Sequence, residues 1–260
     1  MGRMDGKVVI ITGAGTGVGQ ATMQLFSAEG AKVFGVSRTQ ANLDKTLALV
    51  KKGGGEGAVL AADLSADAAC ARVVKATLEK YGRIDSLVHS AGVGYSLAKT
   101  SPGTMADVAN TTPEAWREVM SIDLDAYFYM CRNVLPHLLA QGSGTIVGIS
   151  SILGYTGIPD GHTYTAAKAG IINLTRSMCV AYAAKGIRVN CIAPGFIDTP
   201  MVADYMDLFK DPVVADSITP MRRAATASEI AYGCLYLVSQ ESSYCNGTVL
   251  TIDGGTTARM

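Results

Sequence analysis

The stretch Thr12-Gly13-Ala14-Gly15-Thr16-Gly17-Val18-Gly19 follows a short apolar run, residues 7–12, and opens an amphipathic segment that continues to residue 29. This pattern predicts a strand, a glycine turn and a helix. Glycine permits a tight turn and the close approach of a ligand to the backbone, and the first turn of a helix offers free N–H groups to a pyrophosphate. We therefore predict a dinucleotide site, whose candidate contacts in this turn are Gly13, Thr16, Gly17, Val18 and Gly19.

Strands and helices are predicted to alternate along the rest of the chain. Further strands are expected at residues 32–37, 58–62, 86–89, 145–150, 188–192 and 248–252, and further helices at residues 39–51, 66–81, 113–140, 164–184 and 228–239. The alternation predicts an α/β fold of the Rossmann-like, doubly wound type, with a mostly parallel seven-stranded sheet and helices on both faces. Since no linker divides the sequence, we expect a single dinucleotide-binding and catalytic domain over residues 1–260.

Two segments are longer than ordinary connections between a strand and a helix. They are residues 94–112, which include Pro102-Gly103, and residues 194–227, which are rich in Met and Pro. Long ordered loops are usually functional. Both segments follow the carboxyl ends of predicted strands, where open α/β sheets bind ligands. We therefore predict that these segments are the substrate loops.

The charge balance and the cysteines limit the classes of partner and location. The chain has 22 Lys and Arg residues and 22 Asp and Glu residues, so no net field favours nucleic acid or a membrane, and we expect a small-molecule substrate. The six cysteines are scattered without a CxxC pair, and the first apolar run is too short for a signal or membrane-spanning segment. We expect free thiols and a cytoplasmic location.

The three histidines are too dispersed to predict a metal site.

The end of the second predicted strand bears on the choice of cofactor. NAD-binding folds commonly carry an Asp or Glu there, which accepts hydrogen bonds from the adenosine ribose and repels a 2′-phosphate. This chain has Ser37 followed by Arg38, with no carboxylate between residues 31 and 43. Because a guanidinium is well shaped for phosphate, NADP(H) is favoured and NAD(H) is the alternative. The competing interpretation is that Arg38 is a solvated surface charge.

Tyr164 and Lys168 lie one turn apart on a predicted helix, hence on the same face. A nearby ammonium favours the phenolate and is expected to lower the tyrosine pKa from about 10 toward the working pH, where the phenol both gives and takes a proton. The same spacing recurs at Tyr95 and Lys99, in a loop. Ser151 precedes Tyr164 by 13 residues and no serine lies at a comparable distance before Tyr95. We therefore interpret the Tyr95 and Lys99 pair as a chance copy of the spacing, without a catalytic role.

The motifs along the chain together form the pattern of a known family. They are the glycine turn, Ala61-Ala62-Asp63-Leu64, His89-Ser90-Ala91-Gly92, the run from Gly144 to Ser151, Tyr164 with Lys168, the run from Pro194 to Thr199 and Thr251-Ile252-Asp253-Gly254-Gly255. The chain resembles the classical short-chain dehydrogenases/reductases over nearly its whole length. The resemblance implies an NAD(P)-dependent oxidoreductase that acts on CH–OH groups, and a homo-oligomer that we expect to be a tetramer.

The resemblance implies catalytic roles for three residues and a departure at a fourth. Ser151 would hydrogen-bond the reacting oxygen, Tyr164 would be the general acid and base, and Lys168 would bind the nicotinamide ribose and lower the tyrosine pKa. The family usually has a catalytic Asn in the long fourth helix, where this chain has Asp123. Aspartate can keep the backbone role of that position, but its charge would offset part of the effect of Lys168. We therefore expect an active enzyme with a raised pH optimum.

The resemblance also implies the remaining cofactor contacts. Asp63 would contact the adenine, and Ile197 and Thr199 the carboxamide, with hydride transfer at the pro-S face of the nicotinamide. A second departure is Ser90, where the family has an Asn that ties the central strands together, and we expect this change to be tolerated. Besides Ser90, the matching positions expected to line the cofactor are Leu64, Ala91, Gly92, Pro194 and Gly195.

Apolar side chains in and near the two long loops predict the substrate class. Met201, Met206, Phe209 and Met221 form a candidate adaptable lid, with ordinary packing beneath a loop as the alternative. Such a lid favours a largely apolar or cyclic substrate with one reacting oxygen, such as a ketone, steroid or terpenoid, over a sugar. The other walls of the substrate site would be Val93, Tyr95, Leu153, Tyr155 and Phe196.

The sequence thus predicts an oxidoreductase that transfers a hydride between NADP(H) and a carbonyl or secondary alcohol. Alternatives within the family are an NAD-dependent hydroxysteroid or secondary alcohol dehydrogenase and a 3-oxoacyl thioester reductase. A non-catalytic dinucleotide-binding regulator is less favoured and is motivated only by Asp123 and Ser90. A nucleotide-sugar epimerase or dehydratase is disfavoured because Gly13, Gly17 and Gly19 do not have its GxxGxxG spacing.

Overall fold

A parallel sheet forms the centre of the computed structural model, which describes residues 2–259. Within these residues the chain has nine strands: β1 (Val8–Thr12), β2 (Lys32–Ser37), β3 (Glu56–Ala61), β4 (Ser86–His89), β5 (Gly144–Ile149), β6 (Ile187–Pro194), β7 (Ile197–Asp198), β8 (Ala225–Thr226) and β9 (Val249–Ile252). Seven of them form one sheet in the order β3-β2-β1-β4-β5-β6-β9, and every neighbouring pair is parallel. The predicted Rossmann-like, doubly wound sheet is therefore confirmed. The strand order reverses between β1 and β4, which opens a crevice at their carboxyl ends.

Helices cover both faces of this sheet. They are α1 (Gly17–Ala28), α2 (Gln40–Lys52), α3 (Asp67–Tyr81), α4 (Pro113–Met120), α5 (Ala126–Gln141), α6 (His162–Tyr182), α7 (Pro212–Ile218) and α8 (Ala227–Val238). Helices α1, α2 and α8 contribute to the core on one face, and α3, α5 and α6 to the core on the other. Within residues 2–259, no helix combines the length and the apolar character needed to cross a bilayer.

Strand β1 shows why the strands of the sheet could be predicted from apolar runs in the sequence. All five of its residues are buried. Val9 and Ile11 belong to one core and Ile10 to the other, because successive side chains of a strand point to opposite faces. A parallel strand covered on both faces is therefore apolar throughout rather than alternating.

The single long helix predicted over residues 113–140 is interrupted. Helix α4 ends at Met120, a π-helical turn spans Ser121–Asp125, and α5 begins at Ala126. Such a turn inserts an extra residue into a helix and often occurs at a functional site. Here Asp123 lies within the turn and its side chain is fully buried. The apolar periodicity did not reveal the interruption, because one added residue changes the period only locally.

The segment predicted as a loop over residues 194–227 contains more regular structure than expected. Strands β7 and β8 pair through two residues each. A 3₁₀-helical stretch covers Pro200–Lys210, and α7 follows it. Asp211 caps α7 by accepting a 2.8 Å hydrogen bond from the N–H of Val213. The two strands and α7 have too few residues for a periodic signal, and the 3₁₀-helical stretch does not follow the 3.6-residue period of an α-helix.

Candidate active site

The glycine turn between β1 and α1 has backbone angles and close contacts that leave no room for side chains. Gly13 and Gly17 have positive φ angles of 67° and 55°, a region that favours glycine. A Cβ atom added at Gly19 would lie 2.3 Å from the carbonyl oxygen of Gly13. The first turn of α1 can therefore pack this closely against the glycine turn only with glycine at this position. Gly17 and Val18 of this first turn line the crevice, where the free N–H groups of a helix start can bind an anion.

Thr12 joins the glycine turn to the end of β4. Its hydroxyl oxygen accepts hydrogen bonds from the N–H groups of Ser90 (3.1 Å) and Ala91 (3.0 Å). The hydroxyl proton is then directed to Nδ1 of His89, 3.1 Å away, and burial lowers the pKa of this imidazole to about 3, so the ring is neutral and can accept. These bonds tie the two central strands together without the side chain of Ser90, which stands at the position of the family's Asn.

A cavity of about 790 Å³ extends along the carboxyl edge of the sheet. The glycine turn and Arg38 lie at one end, and Ser151 and Tyr164 at the other. Gly19 does not line the cavity, and its role is to let the first turn of α1 pack closely against Gly13. All other residues predicted to contact the cofactor do line it: Gly13, Thr16, Gly17, Val18, Ser37, Arg38, Asp63, Leu64, Ser90, Ala91, Gly92, Tyr164, Lys168, Pro194, Gly195, Ile197 and Thr199.

The end of the cavity near the glycine turn fits a nicotinamide dinucleotide. Ser37 lines the cavity, and its Oγ is buried without a hydrogen-bond partner within residues 2–259. Buried hydroxyls normally have a partner, so this oxygen suits a ribose hydroxyl or a phosphate oxygen. A Cβ atom added at Gly15 would lie 2.8 Å from it, so glycine keeps the space beside Ser37 open. The residues present therefore fit the adenosine half of the cofactor.

The predicted catalytic residues meet at the other end of the cavity. Ser151 follows β5, while Tyr164 and Lys168 lie in the first turns of α6, with Nζ of Lys168 5.2 Å from the centroid of the Tyr164 ring. Nζ also lies 3.3 Å from Oδ2 of Asp123. The other carboxylate oxygen, Oδ1, accepts a 2.7 Å hydrogen bond from the N–H of Val93. The π-helical turn thus brings a carboxylate against the buried lysine.

Burial and charge act in opposite directions on the pKa of Tyr164. Burial raises the pKa of the phenol, the Lys168 ammonium lowers it, and the Asp123 carboxylate adds to the rise. Burial also disfavours the charged Lys168, but Asp123 and Tyr164 outweigh burial and raise the pKa of the ammonium. The predicted effect of the lysine is therefore present, but in this chain burial outweighs it. Lys168 remains charged beside the phenol.

The predicted substrate residues are only partly brought together. Val93 is buried, with its N–H held by Asp123, and does not line the cavity. Tyr155 is exposed, and its hydroxyl lies 2.8 Å from Oγ1 of Thr251. Met206 lies on the 3₁₀-helical stretch outside the cavity wall. These three residues therefore lie outside the cavity wall, whereas the other four predicted substrate residues line it: Tyr95, Leu153, Phe196 and Met201.

The candidate lid is likewise reduced to one residue. Only Met201 of its four members lines this cavity. Phe209 packs edge to face against Phe196, with ring centroids 5.5 Å apart, and Met221 is exposed. For Phe209, ordinary packing beneath the loop is the better description.

The sequence did not predict several residues at the substrate end of the cavity. Among them, Asp160 accepts a 2.9 Å hydrogen bond from the hydroxyl of Tyr95, and the ring of Tyr95 meets that of Tyr205 edge to face at 5.8 Å. The position of Asp160 four residues before Tyr164 was an available signal, whereas Tyr205 lies in a stretch without periodicity. The residues missed at this end are Gly94, Ile152, Ile158, Asp160, Val202, Tyr205 and Ile218.

The second tyrosine and lysine pair has a different environment from the first. Lys99 forms an ion pair with Asp204, and Tyr95 donates to Asp160. Burial and the Asp160 carboxylate both raise the pKa of Tyr95. In the described part of the chain, no ammonium offsets this rise at Tyr95, because Lys99 pairs with Asp204, whereas Lys168 lies beside Tyr164. This difference favours Tyr164 as the reacting tyrosine.

Comparison with known proteins gives matches that extend over almost the whole chain. A family model described as enoyl-(acyl carrier protein) reductase matches residues 13–257. The 3-oxoacyl-(acyl-carrier-protein) reductase FabG of Thermotoga maritima is 35% identical over 253 residues, covering 97% of this chain and 98% of that protein. Levodione reductase of Leifsonia aquatica is 38% identical over 264 residues, covering 98% of this chain and 96% of that protein.

Solved structures give the same result. The crystal structure of levodione reductase matches with a TM-score of 0.90 at 36% identity, covering 99% of this chain and 100% of that one. A crystal structure from Agrobacterium tumefaciens with bound NADP, described as that of a 2-deoxy-D-gluconate 3-dehydrogenase, matches with a TM-score of 0.86 at 33% identity, covering 98% of each chain. The fold therefore occurs in proteins that are similar in sequence as well as in structure.

Proposed function

This chain belongs to the short-chain dehydrogenase/reductase family, and we propose that it transfers a hydride between NADP(H) and the carbonyl or secondary alcohol of a largely apolar substrate. Its class, an NAD(P)-dependent oxidoreductase acting on CH–OH and carbonyl groups, follows from the family. One observation carries the proposal. Tyr164 lies beside a charged, buried lysine at the end of a cavity that begins at the glycine turn.

The proposed chemistry assigns one task to each residue. A bound nicotinamide supplies the hydride in reduction and accepts it in oxidation. The hydroxyl of Ser151 donates a hydrogen bond to the reacting oxygen, and Tyr164 gives that oxygen a proton in reduction and removes it in oxidation. Lys168 stabilises the phenolate left after proton donation, and Asp123 holds the ammonium in position.

Three observations support NADP(H) as the preferred cofactor. Ser37 and Arg38 occupy the position where a carboxylate would repel a 2′-phosphate. The buried Ser37 hydroxyl lacks a partner within residues 2–259, and Arg38 lines the same end of the cavity. A similar structure carries bound NADP. NAD(H) is the alternative if Arg38 remains in solvent.

The walls of the substrate end support an apolar or cyclic ketone, steroid or terpenoid. Leu153, Phe196 and Met201 line it, and such side chains bury carbon skeletons better than sugars. The similarity to a protein named levodione reductase supports a carbonyl substrate. The similarity to a 3-oxoacyl-(acyl-carrier-protein) reductase favours a second candidate, a 3-oxoacyl thioester.

We further propose the organisation and location of the enzyme. The chain acts as one domain over residues 1–260, with substrate loops at 94–112 and 194–227. A homotetramer is supported by the exposed aromatic side chains of Trp116 on α4 and Phe128 on α5, and light scattering tests it. A cytoplasmic location is supported by the six cysteines, all of which are free thiols.

Oxidation of NADPH and NADH in the presence of a substrate panel tests the proposal. The panel contains cyclic ketones, steroid ketones, sugars and 3-oxoacyl thioesters. We expect turnover of the cyclic or steroid ketones with a preference for NADPH. Turnover confined to sugars or acyl thioesters would end the apolar-substrate proposal. Tight cofactor binding without oxidation across the panel would instead indicate a regulator.

A further inference from the structure

The two ends of the cavity differ in charge. Among residues 2–259, the cationic side chains that line it are Arg38, at the end near the glycine turn, and Lys168, which is paired with Asp123. The anionic ones are Asp63, near Arg38, and Asp160, at the substrate end. A substrate that occupies the space beyond Tyr164 therefore meets a carboxylate and no free cation among these residues.

Asp160 is held in a defined position at the mouth of the cavity. It precedes Gly161, which has a φ of 62° and whose N–H donates a 3.1 Å hydrogen bond to the carbonyl of Met105. The hydroxyl of Tyr95 donates to Oδ1 of Asp160 at 2.9 Å. Because burial and this carboxylate raise the pKa of Tyr95, the phenol stays protonated and keeps donating. The Tyr95 bond uses Oδ1, and Asp160 is exposed and lines the cavity, so Oδ2 is available to a donor group of a ligand.

We propose that Asp160 is a specificity-determining residue, which accepts a hydrogen bond from a second donor group on the substrate and disfavours substrates that carry an anionic group. This inference rests on the proposed function, since it concerns the substrate of that same site. The substrate class is an apolar ketone or secondary alcohol that bears a hydroxyl or an ammonium group away from the reacting carbon. An ionised carboxylate can accept hydrogen bonds but cannot donate them, so it attracts both donors and repels a second carboxylate.

A purely structural role for Asp160 makes a different prediction. The bond from Tyr95 joins the segment 94–112 to the start of α6, and its loss could loosen the cavity. Such loosening would lower turnover of every substrate by a similar factor. A role in specificity changes the ratio between substrates, so the ratio is the quantity to measure.

Four matched ketones separate these roles: 4-methyl-, 4-hydroxy- and 4-aminocyclohexanone and 4-oxocyclohexanecarboxylate. The value of kcat/KM is measured for each with wild type, Asp160→Ala, Asp160→Asn and Asp207→Asn. Asp207 is an exposed aspartate of the 3₁₀-helical stretch that pairs with Lys210 and does not line the cavity, so its variant controls for the loss of a carboxylate outside the cavity.

We expect wild type to prefer the hydroxyl or amino ketone over the methyl ketone by about tenfold, the effect of one hydrogen bond to a charged group. Asp160→Ala removes this preference and raises kcat/KM for the carboxylate ketone relative to the methyl ketone. Asp160→Asn keeps part of a preference for hydroxyl, because its amide oxygen still accepts, but loses a preference for ammonium. Asp207→Asn behaves like wild type.

Substrate ratios that are equal in wild type and Asp160→Ala, while all four ketones react, would overturn this inference and leave the proposed function intact. Turnover of another ketone of the panel but of none of these four would overturn this inference alone, whereas no turnover of any ketone with either cofactor would overturn both. A uniform loss of kcat/KM in Asp160→Ala would assign the residue a structural role and also overturn the inference.

Discussion

The ammonium of Lys168 lies 3.3 Å from Oδ2 of Asp123, and both side chains are buried. A π-helical turn places the carboxylate there, and the N–H of Val93 holds its other oxygen. Members of the family usually have a neutral Asn at this position. The pair therefore fixes the lysine beside Tyr164 while adding a negative charge near the phenol.

Replacing that charge should move the pH profile of the enzyme. Asp123 contributes to the raised pKa of Tyr164, so Asp123→Asn should lower the pKa of the phenol. Oxidation of an alcohol needs the phenolate, and its rate rises as pH increases through this pKa. We therefore expect kcat/KM for alcohol oxidation in Asp123→Asn to reach its plateau at a lower pH than in wild type.

A nearby variant provides the control for this measurement. Asp125→Asn removes a carboxylate two residues away that is not paired with Lys168, and its profile should match that of wild type. An Asp123→Asn profile that is unchanged or moves to higher pH would show that the carboxylate does not act on Tyr164. The Asn amide oxygen can still accept from Val93, so the variant should fold.

Arg38 should control the choice between the two cofactors. If its guanidinium binds a 2′-phosphate, Arg38→Ala loses a charge-assisted hydrogen bond, and KM for NADPH should rise about 10- to 100-fold. KM for NADH should change little. Arg72→Ala, an exposed arginine on α3, is the control. Equal effects of Arg38→Ala on both cofactors would mean that the enzyme does not recognise the phosphate through this residue.

The close approach at Gly19 should make this position intolerant of any side chain. An added Cβ would lie 2.3 Å from the backbone oxygen of Gly13, so Gly19→Ala should lower the free energy of unfolding by about 1–3 kcal/mol or more and weaken cofactor binding. Gly157→Ala is the matched control, since a Cβ there meets nothing within 4 Å. Thermal unfolding and cofactor titration measure both effects. A Gly19→Ala protein as stable as Gly157→Ala would contradict this account of the turn.

The fold could be predicted because its signals are local. Strands covered on both faces gave continuous apolar runs, as in Val8–Thr12, and the glycine turn marked the first crossing from strand to helix. The reacting residues were also predictable, since Ser151 follows a strand and Tyr164 and Lys168 share one helical face. These relationships depend on a few neighbouring residues and a fixed order of elements.

The substrate end could not be predicted in the same way. Asp160 lies in a loop and Tyr205 in the 3₁₀-helical stretch, and only tertiary packing brings both to Tyr95. Tyr155 was predicted in the wall, but it follows a short 3₁₀ turn, Ile152–Gly154, and its hydroxyl meets Thr251 instead. The direction of a side chain in such a segment depends on backbone angles that composition does not specify.

The central claim is that Tyr164 gives and takes the proton, and turnover by Tyr164→Phe tests it most directly. We expect this variant to bind NADPH as wild type does while its oxidation of NADPH with a ketone falls by about 10²- to 10⁴-fold, the usual contribution of a positioned acid or base. Tyr182→Phe, at the other end of α6, should retain wild-type turnover. Wild-type turnover by Tyr164→Phe would contradict the account.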